Sequence, residues 1–211
     1  HLCQEVLSNS ANESRREMEA VNVKLLKQSE TDQMTGLANR YRLNDYSDKV
    51  LDYCYEHRLP LAMEILDIDF FKQYNDNYGH QQGDECIIAI ADELKKMEDG
   101  QTFCARYGGD EFIIIYAGIS AEEVHAKAAA LRQNIMDLRL EHLYSNALPI
   151  VTISQGISYG VPEEGNRSWD FLHTADMLLY QVKKKSRNDI CIADIRGQEL
   201  DLSSKQEKVE P

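Results

Sequence analysis

Apolar and polar positions alternate along this chain with two different periods. Residues 61–68, 102–105, 112–117 and 148–159 are short apolar runs rich in branched side chains, the pattern of strands. Residues 40–57 repeat apolar positions at helical spacing, with Leu43, Tyr46, Val50, Leu51 and Cys54 on one predicted buried face. The same period runs through Ile87, Ile88, Ala91 and Leu94 in residues 85–96, and through Val124, Ala128, Leu131 and Ile135 in residues 121–138. Residues 168–185 read as a helix ending in a basic turn, and residues 188–193 as a short last strand. Strands and helices are interleaved without a fixed repeat, which predicts an α/β fold around one sheet.

Upstream, Leu7, Ala11, Ser14, Met18, Val21, Leu25 and Gln28 follow alternating steps of four and three, a weak heptad broken at Ser14 and Gln28. Two readings stand side by side: a dimerising helix that enters the domain, and an amphipathic helix packed on its own domain. Thr31-Asp32-Gln33-Met34-Thr35-Gly36-Leu37-Ala38-Asn39-Arg40 combines capping residues with a glycine and reads as the domain entrance. From Asp194 the sequence is polar and charged, and a disordered tail is expected.

Composition narrows the function classes. A net charge of -13 argues against sequence-independent binding to nucleic acid phosphates, so a protein or small-molecule partner is expected. With 43% hydrophobic and 28% charged residues, and no apolar run near the roughly 20 residues a span needs, no membrane contact is expected of this stretch. The chain opens at His1 without a signal pattern, which suggests a piece of a longer protein whose sensory region lies upstream. The five cysteines have no paired metal or redox spacing, and Cys86 and Cys104 sit in apolar runs as expected of core residues in a reducing compartment.

Candidate chemistry gathers at two acidic points. Arg106-Tyr107-Gly108-Gly109-Asp110-Glu111-Phe112 joins two apolar runs through a glycine pair, so it predicts a β-hairpin with two carboxylates at its tip, suited to a hard cation. Residues 61–68 run into Asp67-Ile68-Asp69, and alternation puts both acids on one strand face, emerging together where a helix begins. Alone, such a pair is a helix cap about as often as a ligand site. Gly79-His80-Gln81-Gln82-Gly83-Asp84 reads as another glycine-punctuated turn. Lys183 and Arg187 are four apart on one helical face, either as a solvated basic end favoured by the helix dipole or as a phosphate clamp.

Five blocks, at residues 32–40, 67–84, 106–112 and 151–158 and at Ala175-Asp176 with Tyr180, Lys183, Arg187 and Asn188, together resemble the GGDEF domain of diguanylate cyclases. The resemblance implies a central, mostly antiparallel sheet flanked by helices, like the palm of nucleotidyl cyclases. It divides the chain into a linker or signalling helix at 1–30, a catalytic domain at 31–193 and a tail at 194–211. The implied reaction joins two GTP into cyclic di-GMP with release of two pyrophosphates, in a homodimer located in the cytoplasm. The metal, Mg²⁺ or Mn²⁺, is implied at Asp67, the Ile68 carbonyl and Asp110. Asp110 matches the proton acceptor, Glu111 is a further acid beside it, and Lys72 matches a position that stabilises the transition state. Phe70, Phe71 and Lys72 match a phosphate-facing turn, Lys183 and Arg187 the β and γ phosphate clamp, and Asn75, His80 and Asp84 the base side. His80, between two glycines, is equally readable as structural.

The chain departs from the family pattern in three respects. Ser186 replaces a usual glycine, with a small cost expected at a helix C-cap, and Met34 replaces a usual leucine of similar volume. The product-binding Arg-x-x-Asp motif falls on Asp99 and Thr102, neither of which matches. The rival to an active enzyme is a catalytically idle module that binds GTP or a partner protein. A product receptor is disfavoured by the missing motif.

Overall fold

The computed structural model describes residues 30–200, together with residues 15, 16, 18, 21 and 25. Its elements are α1 (Arg40–His57), β1 (Leu61–Ile68), α2 (Phe71–Tyr78), α3 (His80–Met97), β2 (Thr102–Gly108), β3 (Glu111–Ala117), α4 (Ala121–Asp137), β4 (Ile153–Gly160), α5 (Ser168–Lys185) and β5 (Ile190–Asp194). One five-stranded sheet has the order β2-β3-β1-β4-β5. All neighbours are antiparallel except β4 and β5, so the mostly antiparallel sheet implied by the family resemblance is the one found.

β1 lies at the centre and its side chains alternate between two cores. Ala62, Leu66 and Ile68 join Phe71, Ile87, Ile90, Leu94, Val124 and Leu131 on the face covered by α2, α3 and α4. Leu61 and Met63 join Leu43, Leu51, Cys54 and Phe171 on the face covered by α1 and α5. Both faces of β1 and β4 are covered, so both strands are buried on both sides, and Glu64 and Asp67 of β1 and Ser154, Gln155 and Ser158 of β4 are buried with the apolar residues around them. α5 crosses β4 at Gly156, where an added Cβ would meet the Ala175 carbonyl oxygen at 2.2 Å and the Leu179 nitrogen at 2.3 Å. Only glycine lets the two backbones approach this closely.

Local signals start the helices where expected. The Asn39 side chain accepts from the Arg42 amide at the start of α1, and Ser120 and Glu123 form a reciprocal capping box at the start of α4. The Asp170 carboxylate accepts from the Arg167 amide at the start of α5.

Several expectations are corrected. β4 begins at Ile153, not at 148, because Ile150 pairs by a single bridge with Glu141 and the Val151 amide donates to the Leu140 carbonyl. α3 begins at His80, so Gly83 lies inside a helix rather than in a turn. Ile88 is on its outer face, and Ile90 is buried instead. The last strand starts at Ile190, two residues late. Residues 194–200 fold back on β5 through an Ala193–Glu199 bridge and a Leu200 amide bond to the Ile192 carbonyl. Ser186 carries no strain at φ -138°, and the left-handed residues that follow α5 are Arg187 and Asn188.

Cys54, Cys86 and Cys104 are buried free thiols. Met18, Val21 and Leu25 of the weak heptad are helical and exposed. Leu7, Ala11, Ser14, Gln28 and residues 201–211 of the tail lie outside the described residues. No helix among the described residues is long and apolar enough to cross a membrane.

Candidate active site

The sheet register builds the acidic centre. β1 and β3 pair so that Asp67 stands opposite Glu111, and Asp110 precedes Glu111 at the tip of the β2–β3 hairpin. A register shift between Arg106 and Gly108 gives the tip its bend. Arg106 braces it: its guanidinium donates to the Gly109 carbonyl at 2.9 Å and pairs with Asp32 at 3.2 Å. The sequence reading quoted Arg106 and Asp32 without a role. Charge opposition seventy-four positions apart leaves no local signal.

Asp67 is nearly buried, and its Oδ2 lies 2.8 Å from the Lys183 ammonium. Burial pushes its carboxyl up to about 6, Lys183 pulls it down, and Asp110 and Glu111 push it further up. Burial also raises Glu111, with Lys183 lowering it and Asp110 and Asp176 raising it. Three carboxylates therefore feel one another around a single ammonium. Among the described residues no three His, Cys, Asp or Glu side chains converge tightly enough to hold an ion by themselves. The donors expected from the sequence are two carboxylates and a main-chain carbonyl, all oxygen, and crowded negative charge of this kind fits a hard divalent cation.

Asp69 departs from the expectation that it emerges beside Asp67. It has no exposed surface, and Thr152 Oγ1, Ser154 Oγ and the Asn188 amide all donate to it. Its carboxylate is saturated from within the chain. The pair splits because Thr152 and Ser154, at the start of β4, supply hydroxyls to one acid, while among the described residues Lys183 alone reaches the other.

Phe70, the residue before α2, has φ 56° and makes no side-chain cap, so the first amides of the helix, at Phe71 and Lys72, have no capping side chain. Phe71 is buried and Lys72 exposed. Arg187 stacks its guanidinium 4.2 Å over the Phe70 ring. On the other side of α2, Asn75 presses against α3 at Gly83, where an added Cβ would lie 1.8 Å from Asn75 Oδ1. That Oδ1 is buried and has no hydrogen-bond partner among the described residues. Asp84 and His80 are exposed, one helical turn apart at the start of α3.

The structure thus brings together Asp67, Ile68, Asp110, Glu111 and Lys183, joins Arg187 to Phe70, and sets Asn75 against the helix that carries Asp84. His142 was missed by the sequence reading. Its Nε2 lies 3.1 Å from the Phe70 carbonyl and its ring packs edge-on against Tyr74, from a loop segment with no periodicity to mark it.

The family model described as "Diguanylate cyclase, GGDEF domain" matches residues 29–189. The chain belongs to the GGDEF family. Over 163 residues it is 36% identical to "Probable diguanylate cyclase DgcC" of Escherichia coli strain K12, covering 76% of this chain and 42% of that protein. It is 31% identical over 160 residues to "Response regulator PleD" of Caulobacter vibrioides strain NA1000, covering 76% and 35%. The chain therefore spans less than half the length of these curated relatives. The solved coiled coil and GGDEF domain of DgcB from Caulobacter crescentus, in complex with c-di-GMP, superposes with a TM-score of 0.72 at 28% identity, covering 92% of this chain and all of that one. The palm-like sheet of this GGDEF domain is shared with those neighbours.

Proposed function

We propose that this GGDEF domain is a diguanylate cyclase that joins two GTP into cyclic di-GMP. The observation that carries the reading is the register: it sets Asp67 of β1 against the Asp110-Glu111 tip with one ammonium between them. Relatives named diguanylate cyclases support it.

In this reading Asp110 accepts the proton of the 3′-hydroxyl, and the freed oxygen attacks the α-phosphorus of the second GTP. The bond between its α-phosphorus and the bridging oxygen breaks, and pyrophosphate leaves; repeating the step in the opposite sense closes the ring. Asp67, the Ile68 carbonyl and Asp110 would hold Mg²⁺ or Mn²⁺, with Glu111 as a further acid, and the ion would neutralise phosphate charge. The amides of the turn into α2, at Phe70, Phe71 and Lys72, face phosphate oxygens, and Lys72 adds positive charge in the transition state. Lys183 and Arg187 turn from their acids to the β and γ phosphates.

Asp84 accepts the ring N–H and exocyclic amine of guanine, the buried Asn75 Oδ1 awaits a donor on the same side, and His80 lines it. One domain holds one GTP, so two copies face each other, and Met18, Val21 and Leu25 offer an apolar stripe for pairing. The test is to incubate the chain with GTP and Mg²⁺ and quantify products. Cyclic di-GMP and pyrophosphate should form in a one-to-two ratio, with specific activity rising with protein concentration. Asp110→Ala should lower the rate by roughly 10³-fold or more. GTP left intact by the wild-type chain at every concentration would favour the idle module.

A further inference from the structure

We infer that Asp69 is a positioning residue for the phosphate side of the site, an inference that rests on the proposed role of Arg187. Among the described residues, five other than glycine have positive φ, and three of these, Phe70 at 56°, Arg187 at 53° and Asn188 at 45°, meet around this one carboxylate. Left-handed backbone at a bulky residue is costly and persists only where its surroundings over-determine it. Here they do. Asp69 has no exposed surface, its Oδ1 accepts from Ser154 Oγ at 2.6 Å, and its Oδ2 accepts from Thr152 Oγ1 at 2.8 Å and from the Asn188 amide at 3.0 Å. Its own amide donates to the Thr152 carbonyl, which locks the residue before Phe70 to the segment that leads into β4.

The two left-handed turns are pinned from their far sides as well. Arg132 donates to the Asn188 carbonyl at 2.6 Å, and the His142 ring nitrogen lies 3.1 Å from the Phe70 carbonyl. Arg187 is then held between the Asp69 carboxylate, 3.6 Å from its Nη1, and the Phe70 ring, 4.2 Å away. One buried acid therefore joins the exit of α5 to the entrance of α2. It sets where the Arg187 guanidinium stands and how the first amides of α2 are presented. A carboxylate suits this task because every group aimed at it is a donor, and an amide of the same shape would turn its own N–H groups towards one of them.

The test uses the full chain and the Asp69→Asn, Arg187→Ala and double variants. The first readout needs no nucleotide: Asn188 amide hydrogen exchange, followed by NMR, should speed by about tenfold or more in Asp69→Asn, because a charge-assisted bond is lost. The second is calorimetric affinity for a GTP analogue with a methylene between the α and β phosphates, in the presence of Mg²⁺. Asp69→Asn should weaken it by about tenfold in the wild-type background and by less than about twofold when Arg187 is already alanine. Unchanged Asn188 exchange would overturn the inference, and so would an affinity loss of equal size in both backgrounds, which marks a merely structural acid. Full affinity in Arg187→Ala alone would instead remove the phosphate role of Arg187, while the exchange readout still judges Asp69. Ser154→Ala, which removes one donor and leaves the acid, should move Asn188 exchange the same way by less, and keeps the test available should Asp69→Asn fail to fold.

Discussion

Glu64 and Asp67 lie three residues apart on β1, on opposite faces of the sheet, and both are buried. Burial pushes the Glu64 carboxyl up to about 7, with bonds from Gln155 and Tyr116 pulling it down. Burial pushes Asp67 up to about 6 against an ammonium on one side and two carboxylates on the other. The perturbation is similar, but the surroundings are not. Glu64 is enclosed by neutral donors, Tyr116 Oη at 2.8 Å and Gln155 Nε2 at 2.7 Å, beneath α4, and nothing from outside can reach it. Asp67 stands beside two acids, Asp110 and Glu111, that receive no hydrogen bond from described residues. A raised carboxyl is therefore not by itself a sign of chemistry; acids left without internal donors at the ends of the central strands are.

The same division sorts the other acids, and each can be tested. Asp84 is exposed with no internal partner among the described residues, so in the proposed function it falls with Asp110 and Glu111 among the acids that meet a ligand. A site built on that acceptor should prefer GTP over ATP by roughly 10⁴-fold in kcat/KM, and Asp84→Ala should erase most of the preference. Equal use of both nucleotides by the wild-type chain would move Asp84 into the other class.

Glu64 should affect stability and its pH dependence. Its folded pKa lies above the ordinary 4.5, so the folded state holds the proton more tightly, and stability from this group is lost as pH rises from about 4.5 through about 7. Glu64→Gln should remove that slope and be more stable than wild type at pH 8, by on the order of 2–3 kcal/mol, with little difference at pH 4. Urea unfolding at the two pH values checks this. A variant with the wild-type slope would show that Glu64 is not the group responsible.

Asp99 gives the smallest expected effect. Asp99 and Thr102 stand where the product-binding motif would fall, and Lys127 pairs with Asp99 at 2.9 Å and donates to Thr102 Oγ1 at 3.1 Å. The Lys127 bond is the leading cause that lowers the Asp99 carboxyl below its ordinary range. Asp99 is satisfied within the chain, like Glu64. Cyclic di-GMP added at saturating GTP should then slow initial rates by less than about twofold. Strong inhibition would mean that this cluster opens for product or that product binds elsewhere.

Much of the fold could be read from periodicity. The helices at α1, α4 and α5, the hairpin and the central strand stand where apolar spacing puts them. The errors came where a residue's meaning depends on a distant element. Gly83 reads as a turn locally, yet it is glycine because Asn75 of α2 presses on it. Asp69 matches Asp67 in spacing and composition, and only the β1–β4 register reveals the hydroxyls of Thr152 and Ser154 on it. Glu64, Tyr116 and Gln155 sit in three apolar runs, and none signals a network until the strands align.

The most direct test compares the two acids of β1 in one experiment. Cyclic di-GMP formation from GTP and Mg²⁺ is measured per mole of folded protein for wild type, Asp67→Asn and Glu64→Gln, with folding checked by circular dichroism. The account predicts that Asp67→Asn loses roughly 10³-fold or more in rate while remaining folded, and that Glu64→Gln stays within about threefold of wild type. Near-normal turnover by folded Asp67→Asn, or loss of turnover in folded Glu64→Gln, would contradict it.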